Sequence, residues 1–184
     1  MPDRVAIFVD GGYLESVLRD EFRGARIDHG KLSSTMAGDD TILRTYCYDC
    51  PPYQSNPPTE EEKTRYANKR RFFTYLERLP RYSVRLGILA KRTSPDGSPR
   101  FEQKRVDILL GVDLVQLAAK GQIQQAILLA GDSDFIPAVT AAKQEGVIVR
   151  LYHGARPHND LWQEVDERVR IDQPLIDAIL LLEP

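Results

Sequence analysis

The segment Ala126-Ile127-Leu128-Leu129-Ala130-Gly131-Asp132-Ser133-Asp134-Phe135 constrains this chain more than any other stretch. A short apolar run closed by glycine reads as a strand buried on both faces, the kind found inside a parallel sheet. Residues 135–145, with Gly146 after them, read as a helix with its stop signal. The two carboxylates therefore stand where a central strand hands over to a helix, at the edge where open α/β sheets bind their ligands. One of them can cap that helix, since Asp is favoured at the N-cap. A cap needs only one acid, and two so close repel each other unless a cation lies between them.

A second buried strand opens the chain. Residues 4–10, Arg-Val-Ala-Ile-Phe-Val-Asp, end in Asp10 and run into Gly11-Gly12, which let the backbone turn sharply and a ligand come close. Helices are predicted over 13–22 and 27–37, and a β-branched and aromatic run over 41–48 predicts the next strand. Thr59 with Glu62 forms a capping box for a long helix that Pro80 ends. Residues 84–91 predict a third strand, and the turn at 95–99 makes 92–103 a hairpin or an excursion. Helices follow over 104–120, 135–145, 160–168 and 174–182, and the remaining strands are 126–130 and 147–152. Strands alternating with helices predict one α/β domain of three layers, spanning residues 1–184, on a parallel sheet.

Charge is unevenly spread. Residues 60–105 hold 13 Lys/Arg and 6 Asp/Glu, a local +7 against −9 elsewhere, so a basic band lies beside the acidic strand ends. That division suits a polyanionic substrate handled by metal-assisted chemistry, although a solvated helix face also produces such runs. The N-terminus lacks a long apolar stretch, the apolar run 178–182 is too short for a bilayer, and two cysteines make no disulfide framework. The expectation is a cytoplasmic protein with no membrane partner.

The acids form a constellation. If the strands ending in Asp10 and Asp132 are neighbours where strand order reverses, their carboxylates face one crevice. Asp107 stands on the first turn of the helix before Asp132, with Gly111 one turn later leaving room above it. Asp107 could equally be a helix-start acid favoured by the macrodipole. Asp113, about 120° round from Asp107 by the helical period, cannot share its face. Asp10, Asp107, Asp132 and Asp134 packed without a counterion would repel and pay desolvation, which Mg²⁺ or Mn²⁺ on oxygen ligands and water removes.

At these residues the chain resembles the NYN family of PIN-like nuclease domains, which includes the bacterial LabA-type (DUF88) proteins. The resemblance is carried by Ile7-Phe8-Val9-Asp10-Gly11-Gly12, by Lys104-Arg105-Val106-Asp107 with Asp113, and by Gly131-Asp132-Ser133-Asp134-Phe135 on through Pro137 and Gly146-Val147. It implies a Rossmann-like three-layer fold with a five-stranded parallel sheet of order 3-2-1-4-5. It also implies divalent metal held by Asp10, Asp107, Asp132 and Asp134 for RNA cleavage, with DNA not excluded. Tyr13 stands where many members have Asn, so a polar role of that position in the site is not carried over.

Within that reading Ser133 could donate to a carboxylate or a phosphate oxygen, while Lys104, Lys69, Arg70 and Arg71 could follow a nucleic-acid backbone. Tyr66 and Phe72 could stack on bases, though helix-face alternation favours the core for both. A homodimer is a further candidate partner. The alternatives are an RNA-binding or regulatory module without catalysis, and a phosphatase or Toprim-type site. Gly12 stands where a dehalogenase-type phosphatase needs an acid, and a Toprim site leaves Asp107 without a role. Cys47 and Cys50 with His153 and His158 have zinc-like spacings, but lie too far apart in sequence for a compact motif. His29 reads as a surface residue.

Overall fold

Val5, Ala6, Ile7 and Phe8 have no exposed surface, so the first strand, β1 (Arg4–Asp10), is covered on both sides. The computed structural model describes residues 2–181, apart from the side chains of residues 99 and 102–104; Leu182 therefore lies outside the described residues. After β1 come α1 (Gly11–Glu21), α2 (His29–Ala37), β2 (Thr41–Asp49), α3 (Glu60–Arg78) and β3 (Tyr82–Leu86). A hairpin of β4 (Ile88–Thr93) and β5 (Pro99–Lys104) leads into α4 (Val106–Ala119) and β6 (Gln125–Leu129). A 3₁₀ turn (Ser133–Phe135), α5 (Ile136–Gln144), β7 (Ile148–His153), α6 (Asn159–Glu164), β8 (Glu167–Arg170) and α7 (Gln173–Ile179) follow.

The main sheet is parallel and six-stranded, in the order β3-β2-β1-β6-β7-β8. Strand order reverses between β1 and β6, so the α/β class and the neighbouring of the two acid-bearing strands agree with the sequence reading. The sixth strand corrects it. Residues 160–168 were expected to be one helix, but α6 stops at Glu164 and the chain turns into edge strand β8. That strand is short and charged, Glu-Arg-Val-Arg, and Arg150 pairs with Glu167 across it at 2.6 Å. Charged, brief strands are how sheet edges avoid further pairing, and they carry no apolar alternation to read. Residues 84–91 are likewise not one strand: the chain breaks at Gly87, whose amide donates to the Asp49 carbonyl (2.8 Å), and β4 leaves the main sheet.

Side-chain parity sets the layers, because successive residues of a strand point to opposite faces. Val5, Ile7 and Val9 pack with Leu14, Val17 and Met36 beneath α1, α2 and α7. Ala6 and Phe8 pack on the other face with Leu110 and Leu114 of α4 and Val139 of α5. Asp10 continues the second set, and Asp132 continues Ala126, Leu128 and Ala130 of the same cluster. Both acids thus leave the sheet toward α4. Over the β2–β3 side, Leu76 of α3 covers Cys47 and Tyr82. The capping box at the start of α3 is formed as the sequence indicates.

Candidate acidic site at the carboxyl edge of the sheet

Asp10 is half-buried at the start of α1, and its Oδ1 accepts the Tyr13 amide hydrogen at 3.0 Å. It is the N-cap of that helix as well as a candidate ligand. Burial raises its pKa from 3.8 to about 6, with Asp107 and Asp49 adding negative charge and the Tyr13 and Gly12 amides opposing them. Desolvation disfavours the charged form, and nearby carboxylates compound it. Asp132 caps the 3₁₀ turn, its Oδ1 accepting from the Asp134 amide at 3.0 Å. One acid of the pair therefore does cap, and Asp134 is left exposed in the first turn, with Ser133 half-buried between them.

Asp107 lies on the first turn of α4, entered through a left-handed residue at Arg105 (φ 75°). Its carboxyl is raised by burial first, then by Asp132 and Asp134. Gly111 does not open space above Asp107, as the spacing suggested. A Cβ there would meet the Ala138 Cβ at 3.5 Å, so this face of α4 lies against the start of α5 and sets Asp107 beside the two acids. The four carboxylates are thus coupled: Asp10 feels Asp107, and Asp107 feels Asp132 and Asp134.

An open crevice of about 520 Å³ lies at this edge, lined by Asp10, Gly12, Tyr13, Ser16, Asp132 and His158 among others. Tyr13 builds its wall. The Gly154 amide donates to the Tyr13 hydroxyl at 3.0 Å, and a Cβ at Gly131 would fall 2.2 Å from the Tyr13 ring. Glu21 accepts from the Ala155 amide at 2.8 and 2.9 Å, tying α1 to the loop that carries His158. Tyr13 is therefore a strut in this chain.

A residue without a role in the sequence reading, Asp49, adjoins the site. Asp49, at the end of β2, is buried, its Oδ1 accepting from the Cys50 amide at 2.7 Å. Its Oδ2 lies 2.8 Å from Lys69 Nζ, which is also 3.2 Å from Glu15. Burial raises the Asp49 carboxyl and the Lys69 ammonium offsets part of that rise. Burial pulls Lys69 down, but Asp49 and Glu15 outweigh it and its net shift is upward. Gly11 is needed here because a Cβ would sit 2.8 Å from Asp49 Oδ2. The signal for Asp49 was an acid closing a strand, as at Asp10 and Asp132. For His158 the sequence offered only a zinc-like spacing.

The basic candidates divide. Lys69 is held between Asp49 and Glu15, whereas Arg70 and Arg71 are exposed on α3, Arg71 donating to Asn68 Oδ1 at 3.2 Å. The Lys104 side chain lies outside the described ones. Asp113 is engaged away from the crevice, accepting from the Tyr48 hydroxyl (2.9 Å) and Arg85 Nε (3.2 Å). Tyr66 and Phe72 are half-buried, and the Phe72 ring meets His29 at 5.1 Å. His29 is half-buried against Phe72 and Tyr75 rather than free on the surface, and burial pushes it down to about 4, with Asp28 opposing and Lys69 adding. Cys47 and Cys50 are buried, and burial and then Asp49 push the Cys47 thiol up to about 12.

Among the described residues no three His, Cys, Asp or Glu side chains stand close enough together to hold a metal ion directly. The acids at the crevice, Asp10 and Asp132, are nevertheless oxygen donors of the kind that suits a hard cation. Mg²⁺ keeps several waters and takes only one or two protein carboxylates, so an Asp10–Asp132 pair with outlying acids fits a hydrated ion. No helix among the described residues is long and apolar enough to cross a membrane.

A parallel α/β sheet with carboxylates gathered at its switch point is the architecture of the PIN-like nuclease superfamily. The family model for the NYN domain matches residues 4–171, and the chain belongs to that family. It is 36% identical over 85 residues to the uncharacterized protein y4oD of Sinorhizobium fredii (strain NBRC 101917 / NGR234), a match covering 44% of this chain and 40% of that protein's length. A crystal structure of a protein of unknown function, VPA0982 from Vibrio parahaemolyticus RIMD 2210633, has the same fold. It superposes with a TM-score of 0.68 at 21% identity, covering 98% of this chain and 97% of that one.

Proposed function

We propose that this protein is a Mg²⁺- or Mn²⁺-dependent ribonuclease that hydrolyses phosphodiester bonds within single-stranded or structured RNA. The observation that carries the reading is that Asp10 and Asp132 line one open crevice where strand order reverses, with Asp107 held above its usual range by burial and by the acids beside it. Family membership supports a nuclease; RNA rather than DNA, and internal cutting, are the proposal's own.

Asp10 and Asp132 would hold the cation, with Asp134 and Asp107 acting on its water shell. Bound there, it would neutralise phosphate charge and lower the pKa of a water nucleophile. Asp107, whose carboxyl sits above its usual range, would orient the attacking water and accept its proton. The amides of Tyr13 and Gly12 hold the Asp10 carboxylate in place, and the Asp132 Oδ1 is fixed by the Asp134 amide. Ser133, beside both acids, would donate to a phosphate oxygen. Arg70, Arg71 and Lys104 would neutralise phosphates along the strand. Lys69 has a different role, holding Asp49 behind Asp10.

A second reading, a binding module without catalysis, is favoured by one observation: no three described donors grip a common point. Incubating a labelled circular single-stranded RNA with Mg²⁺, Mn²⁺ or chelator separates the two. Linearisation with either metal, absent in chelator and in Asp132→Asn, is expected. An intact circle under every condition would leave the binding module.

A further inference from the structure

The β4–β5 hairpin stands outside the main sheet, yet both of its ends are rooted at the acidic edge. Gly87, just before β4, is tied to the Asp49 carbonyl, and β5 ends at Lys104, three residues before Asp107. Two-stranded hairpins are marginal alone, so what this one exposes requires a reason. It exposes an aromatic: Phe101 is 48% accessible, with Ile88 46% accessible nearer the base.

Register places Phe101 directly across from Lys91, hence on the same face. The Phe101 ring centroid is 5.3 Å from that of Tyr53, in the loop after β2, and Lys91 Nζ lies 5.5 Å from the Tyr53 centroid. On the opposite face Arg92 pairs in register with Arg100. Both add positive charge to the hairpin, which suits a polyanion. Residues 88–105 carry five Lys/Arg against two Asp/Glu. An exposed ring set on a half-buried one and flanked by cations is the composition of a single-strand platform, because every base has a face to stack and every nucleotide a phosphate to neutralise.

We infer that Phe101 and Tyr53, with Lys91 beside them, form a stacking platform for an unpaired base of a single-stranded nucleic acid whose backbone runs on to the acidic crevice. This rests on the nuclease reading and adds to it a site and a strandedness. Phe101 precedes the foot of β5 by three residues, about 10 Å along a strand, so the stacked base lies a few nucleotides from the bond to be cut. The platform replaces Phe72, whose ring packs against the cluster of Cys47, Leu76 and Tyr82.

The test is fluorescence anisotropy on the full chain in chelator, where the strand stays intact. The probes are labelled RNA and DNA of about 12 unstructured nucleotides and the corresponding duplexes, a length within the footprint of such grooves. Phe101→Ala should weaken single-strand binding by about 5- to 150-fold, the range for losing one stacked base, equally for RNA and DNA. Duplex binding should not change, Phe101→Trp should restore affinity, and the salt slope should stay as in wild type. Lys91→Ala and Arg100→Ala should instead flatten that slope by about 0.7 each. Unchanged single-strand affinity in Phe101→Ala overturns the platform. If wild type still linearises RNA, the nuclease reading survives that loss. A lost platform effect with a dimer that Phe101→Ala dissociates, by sedimentation velocity, assigns the face to a second copy and also overturns the proposal. The expected loss of affinity in a protein that cuts nothing under any metal upholds the platform and removes the nuclease.

Discussion

Replacing Asp10 by Asn should make the metal-free protein more stable, and the size of the gain follows from burial. The Asp10 carboxyl rises from 3.8 to about 6, because its charged form is desolvated and faces Asp107 and Asp49. A raised carboxylate is a cost that grows as pH climbs from the unfolded pKa to the folded one, and then stays constant. At about 1.4 kcal/mol per pKa unit, less an allowance for screening at an open crevice, the cost is roughly 2–3 kcal/mol above pH 6. Asn avoids it while capping a helix as well as Asp does, so the Tyr13 amide keeps its partner. For a chain of this size the melting temperature should rise by about 4–12 °C at pH 7.5 in chelator. Below about pH 3 the side chain is neutral in folded and unfolded states alike, and the gain should vanish. Thermal melts from about pH 3 to 8 check this. Equal or lower stability of Asp10→Asn at neutral pH, or a gain independent of pH, would refute the reasoning that negative charge is stored at this strand end.

Other consequences follow from neighbouring contacts. Asp107→Asn should lower the rate of RNA cleavage by about 10²- to 10⁴-fold, the usual weight of a general base, without lowering the melting temperature. Lys69→Met should destabilise by about 3 kcal/mol in urea unfolding, because it leaves Asp49 buried and unpaired; adding Asp49→Asn should recover much of that loss. Gly131→Ala should cost about 1–3 kcal/mol, since its methyl group meets the Tyr13 ring. A double-mutant cycle with Tyr13→Ala should show the two changes to be coupled.

Much of the fold was legible because the central strands are buried on both faces and announce themselves as apolar runs. Residues 4–10 and 126–130 each end in a glycine turn with acids, and parity then carries Asp10 and Asp132 to the same side of the sheet. Edge elements lacked that signal. Strand β8 is nearly all charge, and the break at Gly87 depends on a hydrogen bond to Asp49 far back in the chain. The same limit hid the roles of single residues. Lys69 reads as one cation among many on a basic helix, and only the packing of α3 over β2 shows it neutralising Asp49. Tyr13 looks like a departure from a polar site residue until its hydroxyl is seen on Gly154 and its ring on Gly131. Asp49 was within reach, since it closes a strand as Asp10 does, but the predicted strand stopped one residue short of it, at 48.

Calorimetric titration of Mn²⁺ into the chelator-stripped protein at pH 6, in buffers of different ionisation enthalpy, tests most directly whether these acids gather to hold a cation. With the Asp10 carboxyl near its midpoint, wild type should show saturable binding that releases about half a proton, and Asp132→Asn should lose it. No heat in wild type, or binding that Asp132→Asn and Asp10→Asn leave unchanged, would contradict the account.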